Sequence, residues 1–221
     1  MSANTPEQAE TSTPEPFVPQ VEVPEPQRVP GLRLVRLDRT TPEVALLREV
    51  LPRQRVAPDQ RRFVDEAVHT LPRADEDPER FPYAIVLNSG TLTERSAVLD
   101  ACVGFGIIDR VGQLRDLVDD PADAVQLRAF YIALEHQGRG IGRAACAAPL
   151  LDLFVAAVAP RATQIVLCLN DGNELGERTY SAAGFTPTGR RYDAGEHGMQ
   201  SVLSRPVQTG YHPVPQLPEP R

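Results

Sequence analysis

Residues 127 to 169 run strand, glycine-rich turn, apolar helix, strand. Leu127-Arg128-Ala129-Phe130-Tyr131-Ile132-Ala133 and Gln164-Ile165-Val166-Leu167-Cys168-Leu169 are apolar runs of strand length, and the stretch from Gly140 to Val158 between them is long and almost wholly apolar. A unit of this kind makes its two strands parallel or nearly so, joined by a right-handed crossover. A helix apolar on most faces must also be packed between other elements. The chain is therefore a mixed α/β protein.

The flanking sequence supplies the other elements. Leu32 to Leu37 reads as a first strand, and Thr41 with Pro42 gives an N-cap and first-turn proline for a helix to about Val50. A second helix is expected from Asp59 to Thr70, with Phe63, Val64, Ala67 and Val68 as its apolar stripe. Strands are expected over Tyr83 to Leu87 and over Ala97 to Leu99, continuing through Ala101 to Ile108. Asn173 to Ala183 reads as a last helix stopped by Gly184, and residues 185 to 191 and 199 to 203 close the chain as a hairpin. Pro149 falls in the third turn of the long helix, where it should kink or interrupt it.

Proline sorts the chain into parts. Of 22 prolines, seven lie in residues 1 to 31 and five in residues 206 to 221. Such segments bury too little apolar surface to offset their ordering entropy, so residues 1–31 and 206–221 are expected to be disordered tails around one folded domain, 32–205. The net charge of −7 leaves no basic stretch for nucleic acid or an anionic membrane. No signal peptide is visible, and no apolar run is expected to reach the roughly 18 residues of a membrane span. A cytoplasmic protein is expected. Cys102, Cys146 and Cys168 form no C-x-x-C pair and stand among apolar neighbours, so they read as buried free thiols with no metal between them.

Chemistry concentrates at Gln137-Gly138-Arg139-Gly140-Ile141-Gly142, where the first strand of the unit turns into its helix. Closely spaced glycines let backbone amides turn toward one point, and the first amides of a helix have no internal partner. Together they make a site for phosphate oxygens. A dinucleotide-binding G-x-G-x-x-G would need glycine where Arg143 stands. A P-loop needs lysine, and all 23 basic residues here are arginine.

The segment 137–142 fits the Q/R-x-x-G-x-G/A signature of the GCN5-related N-acetyltransferases (GNAT). Asn173, Gly176, Tyr180 and Gly184-Phe185 fit that family's N-x-x-A-x-x-x-Y…G-F segment, with glycine in place of alanine. Over roughly residues 32 to 205 the chain resembles this family in element order as well. The resemblance implies an α/β (α+β) fold: a mixed, mostly antiparallel twisted sheet of six or seven strands flanked by helices, opened between a parallel fourth and fifth strand. Acetyl-CoA would bind in that opening as co-substrate. Backbone groups around Tyr131, Ile132 and Ala133 would pair with the pantetheine arm. Gln137, Gly138, Arg139, Gly140, Ile141, Gly142 and Arg143 would surround the pyrophosphate, with Arg139 and Arg143 either adding charge or standing as solvated helix-start arginines. Asn173 would reach the pantetheine side or cap the last helix. Tyr180 matches the family's general acid, which gives a proton to the departing CoA thiolate.

Other roles stay open in the sequence. Glu135, Asp109, Asp123, His69, His136 and His197 are near enough to consider as a base, and none is placed by its pattern. The stretch from Leu51-Pro52 to Val103-Gly104-Phe105 is similar to the bacterial subgroup that includes diamine and spermidine/spermine acetyltransferases, which implies a small cationic or polyamine-like acceptor, with another small amine or a protein amino group as the alternatives. A homodimer is compatible with the resemblance. A non-catalytic acyl-CoA-binding module on the same fold is the alternative of another class.

Overall fold

The structure is a computed structural model that describes residues 29–208. The tails expected up to residue 28 and from residue 209 lie outside those residues. Seven strands, β1 (Leu32–Arg36), β2 (Arg80–Leu87), β3 (Cys102–Asp109), β4 (Ala124–Ile132), β5 (Gln164–Asn170), β6 (Thr186–Asp193) and β7 (Met199–Pro206), form one sheet in the order β1, β2, β3, β4, β5, β7, β6. Every neighbouring pair is antiparallel except β4 with β5, the two strands of the crossover unit.

Helices cover both faces of the sheet. On one lie α1 (Pro42–Val50), α2 (Ala67–Asp75) and α3 (Arg95–Ala101); on the other lie α5 (Ile141–Cys146) and α6 (Leu150–Val158). A short α4 (Leu114–Leu117) packs on Ala124, Val166 and Val202. The alternation of a strand is visible in β2, where Tyr83 and Ile85 enter the α5/α6 core and Ala84 and Val86 enter the α1/α2 core. A last helix, α7 (Glu174–Ala182), leads through Gly184 at φ 92° to Phe185, fully buried in the α5/α6 core.

Several elements follow the sequence closely. Thr41 Oγ1 accepts the Val44 amide at 3.2 Å, with Pro42 opening α1. The long apolar helix is broken at Pro149 into α5 and α6. The stretch Ile141–Val158 does have the length and mean hydropathy, 1.7, of a membrane span, contrary to the expected shortfall, but it is two short helices packed on the sheet.

Three expectations are corrected. Residues 95 to 101, read in part as strand, form α3, because Val98 and Ala101 sit one helical turn apart and both point into the core. The second helix begins eight residues later than expected: Tyr131 Oη accepts the Ala67 amide at 3.3 Å and Glu66 accepts the Val56 amide at 3.1 Å, which fixes the start of α2 at Ala67 and leaves residues 58 to 63 as turns. The domain also runs past residue 205. Val207 donates to the Thr163 carbonyl at 2.8 Å, and the Gln208 amide donates to Asp152 at 3.0 Å. Asp152 is in turn paired with the buried Arg205 at 2.6 Å.

Candidate functional site

β4 and β5 pair only at Ala124 with Gln164, Val125 with Ile165 and Gln126 with Val166. Past Gln126 the ladder stops, although β4 continues to Ile132 and β5 to Asn170. The two strands splay, and the backbone groups that would have joined them face a cleft of about 770 Å³. On its other side β4 carries a bulge: Phe105 pairs with Tyr131 and Ile107 with Arg128, so Ala129 and Phe130 together oppose Gly106. Ala129 takes φ 48°, a left-handed conformation that a side chain seldom adopts.

The three β4 residues assigned to a pantetheine arm divide in an unexpected way. The Ala133 amide donates to the Val103 carbonyl at 2.9 Å, so it is spent on β3. Tyr131 pairs with Phe105, its hydroxyl holds α2, and its ring is buried in the α1/α2 core. Strand alternation then leaves Ile132 as the residue whose backbone faces the opening. Its carbonyl accepts Gln137 Nε2 at 2.9 Å, and the same nitrogen donates to Gln60 at 2.9 Å. Gln137 thus ties the turn to β4 and to the segment ahead of α2.

Gly138 and Gly140 adopt φ 73° and 74°, and a Cβ at either would meet nothing within 4 Å. Glycine stands there for its backbone angle and for the open space above it, which is what a ligand approaching the amides of residues 138 to 143 requires. Ile141 is buried and anchors α5 beneath the turn, while a Cβ added at Gly142 would come within 3.4 Å of Ile132 and Thr179. Arg139 is exposed, and its Nη1 lies 3.2 Å from His136 Nδ1. Arg143 differs from it. Its Nε is buried, lines the cleft and has no hydrogen-bond partner among the described residues, nor does the side chain form an ion pair. The residue as a whole is half-buried, but a buried N–H without an acceptor is costly, and phosphate oxygens would satisfy it. The residues present fit a CoA pyrophosphate.

Asn173 caps α7: its Oδ1 accepts the Gly176 amide at 2.9 Å, while the residue also lines the cleft. Tyr180 comes from the next turns of α7 and also lines the cleft, with its ring 6.1 Å from Phe130 and 5.9 Å from Phe185. Its hydroxyl makes no hydrogen bond to the described residues. Burial raises its pKa well above the usual phenol value, so the side chain stays protonated.

The groups considered as bases separate clearly. Glu135 is exposed in the turn after β4, Asp123 precedes β4, and His69 is exposed outside the cleft. His136 and His197 line the cleft. Asp109 is fully buried at the end of β3, where it accepts Arg128 Nη1 at 2.8 Å, Arg80 Nε at 3.2 Å and the Val111 amide at 2.9 Å. This cluster, with Gln126 beside it, was not anticipated. A lone arginine inside the apolar run of β4 and an acid closing the apolar run of β3 were the signals for it.

Of the thiols, Cys102 and Cys146 are buried as expected, and burial pushes Cys102 up to about 12. Cys168 is only half-buried, with its side chain on the cleft wall.

A parallel pair splayed beside a bulged β4, with a glycine turn at its mouth, decides the architecture. The chain has the GNAT acetyltransferase fold. Solved structures with which it superposes include aminoglycoside acetyltransferase AAC(6')-Ib in a complex that includes acetyl-CoA, at 15% identity and TM-score 0.55 over 80% of this chain and 93% of that one. The aminoglycoside N(6')acetyltransferase of Legionella pneumophila matches at 14% identity and TM-score 0.52, over 80% and 92% of the two chains. Spermidine N-acetyltransferase of Vibrio cholerae, in complex with CoA and spermine, matches at 14% and 0.50, over 80% and 95%. No protein-family model and no curated protein matches the sequence.

Proposed function

We propose that the protein is an N-acetyltransferase that moves the acetyl group of acetyl-CoA to a primary amine. The observation that carries this reading is the splay of β4 from β5, closed at its mouth by a glycine turn and the unpaired guanidinium of Arg143. In the splay, the Ile132 backbone can take a pantetheine amide in place of the missing strand. The amides of residues 138 to 143 and Arg143 would hold the pyrophosphate. The structural neighbours in complex with acetyl-CoA or CoA support the same assignment.

In direct transfer the amine nitrogen attacks the thioester carbonyl, the new C–N bond forms, and the C–S bond breaks. The amine gives up one proton overall and the sulfur gains one. Tyr180 is the group assigned to deliver that proton. A phenol with a raised pKa is a weak donor in water, but the desolvation that raises it also raises the basicity of a thiolate beside it, so the transfer stays near balance.

The test has two parts. Acetyl-CoA should raise the melting temperature, because it contacts the native cleft and not the unfolded chain. Thiol release should then appear with some members of a panel of primary amines. Cofactor binding without thiol release from any amine would favour the non-catalytic module, and no cofactor-induced shift at millimolar acetyl-CoA would overturn the reading.

A further inference from the structure

The acceptor half of the cleft carries the wrong charge for a polyamine. Asp109 is a single carboxylate between two guanidinium groups, with its oxygens taken by Arg80, Arg128 and the Val111 amide. Arg80 Nε also lies 3.5 Å from Asp77, so these two arginines are balanced by two carboxylates, but Arg128 keeps Nε and Nη2 free of any described partner and able to take an oxyanion. Arg73, also on the cleft wall, forms no ion pair among the described residues. The other acid on the wall is Asp65, which is exposed. An oligocation would find more arginines than acids on this wall.

A second, independent observation lies beside the cluster. Gln126 stands two residues before Arg128 on the same face of β4, is 3% exposed, and has an Oε1 with no hydrogen-bond partner among the described residues. An orphaned buried acceptor on a cleft wall calls for an N–H from a ligand. This place is not the phosphate site: Arg128 and Ile132 pair with β3 residues three apart, Ile107 and Gly104, or about 10 Å at the rise of a strand.

We infer that the acceptor is an amine that bears an oxyanion, a carboxylate or a phosphate, close to its nitrogen. The oxyanion sits against Arg128, Arg80 and Arg73, where the free guanidinium edges suit a planar or tetrahedral oxyanion. An N–H of the same molecule reaches Gln126 Oε1. The inference names the substrate class of the transferase reading and rests on it.

Matched acceptors test it. Amino acids and dipeptides are compared with their C-terminal amides, phosphoethanolamine with ethanolamine, and all of them with spermidine, by thiol release in the full chain. The charged member of at least one pair should exceed its neutral partner in kcat/KM by about tenfold or more, the usual worth of one charge-assisted hydrogen bond. Which pair responds identifies the oxyanion. Arg128→Gln and, as a variant on the exposed wall that leaves Asp109 paired, Arg73→Gln should each narrow that ratio while leaving the acetyl-CoA-induced melting shift in place. Spermidine or a neutral amine matching or beating every charged partner overturns the inference and keeps the transferase. Silence from all amines, with the melting shift intact, overturns both.

Discussion

The side-chain oxygen of Asn173 accepts the Gly176 amide at 2.9 Å, and a Cβ added at Gly176 would fall 2.7 Å from the Asn173 nitrogen and 2.8 Å from Leu169 Cδ1. Glycine at this position departs from the alanine of the GNAT pattern. On helix propensity alone, alanine should gain up to about 1 kcal/mol. The cap reverses that sign, because the extra carbon can be placed only by moving the side chain that closes the first turn of α7, and a lost cap costs about 1 kcal/mol. Displacing Leu169 from the core adds to the loss. Gly176→Ala should therefore lower stability, by on the order of 1 kcal/mol, in a urea titration. A variant more stable than the parent would show that the cap adapts freely.

At Gly140 the constraint is of another kind. The Cβ has room, but φ 74° is a conformation in which a β-branched side chain is strained. Gly140→Val should push the turn out of shape and place a side chain over the amides. The acetyl-CoA-induced rise in melting temperature should disappear, while the protein without cofactor stays folded by circular dichroism. An undiminished shift would place the phosphate contacts elsewhere.

Arg143→Gln separates a ligand-binding arginine from a structural one. The parent guanidinium has no described partner to lose, so the variant should melt at or above the parent temperature without cofactor. Acetyl-CoA affinity, by calorimetry, should fall about tenfold or more, as for removal of one charge-assisted hydrogen bond. A drop in stability with unchanged affinity would assign Arg143 to the fold.

Tyr180→Phe removes a hydroxyl that bonds to nothing described and leaves the ring between Phe130 and Phe185. Melting temperature and acetyl-CoA affinity should barely change. Turnover with a good acceptor should fall by about 10²- to 10⁴-fold, the usual worth of a positioned acid. Normal turnover would remove Tyr180 from the chemistry and leave it as a core aromatic.

Local signals in the sequence were enough to locate the turn, α7 with its Asn173 cap, the break at Pro149 and the crossover unit. Each is set by residues a few positions apart: glycines at a helix start, an Asn followed by a free amide, a ring that cannot donate. What the sequence could not place depends on distant partners. The start of α2 is fixed by the Tyr131 hydroxyl, 64 residues away in the chain. Phe63 and Val64, expected on a helix stripe, line the cleft because that start moved. Residues 95 to 101 are helical because Val98 and Ala101 face a core that forms from other segments. The Asp109 cluster draws on β2, β3 and β4, and only strand register brings Arg80 and Arg128 to one carboxylate. The alternation of β4 likewise decides that Ile132, and not Ala133, faces the opening.

β6 ends the sheet, and its composition bears on self-association. It is exposed along most of its length, it carries Pro187, Gly189 at φ 83°, Arg190 and Arg191, and its pairing with β7 slips between Pro187 and Arg191. A strand from a second molecule would need a straight row of donors and acceptors, and it meets here a missing N–H, a kink and two bulky arginines tied to Asp119 and Asp171. Edge-on growth of the sheet is therefore hindered at the β6 end, which leaves β1 as the edge with an unbroken register to its neighbour.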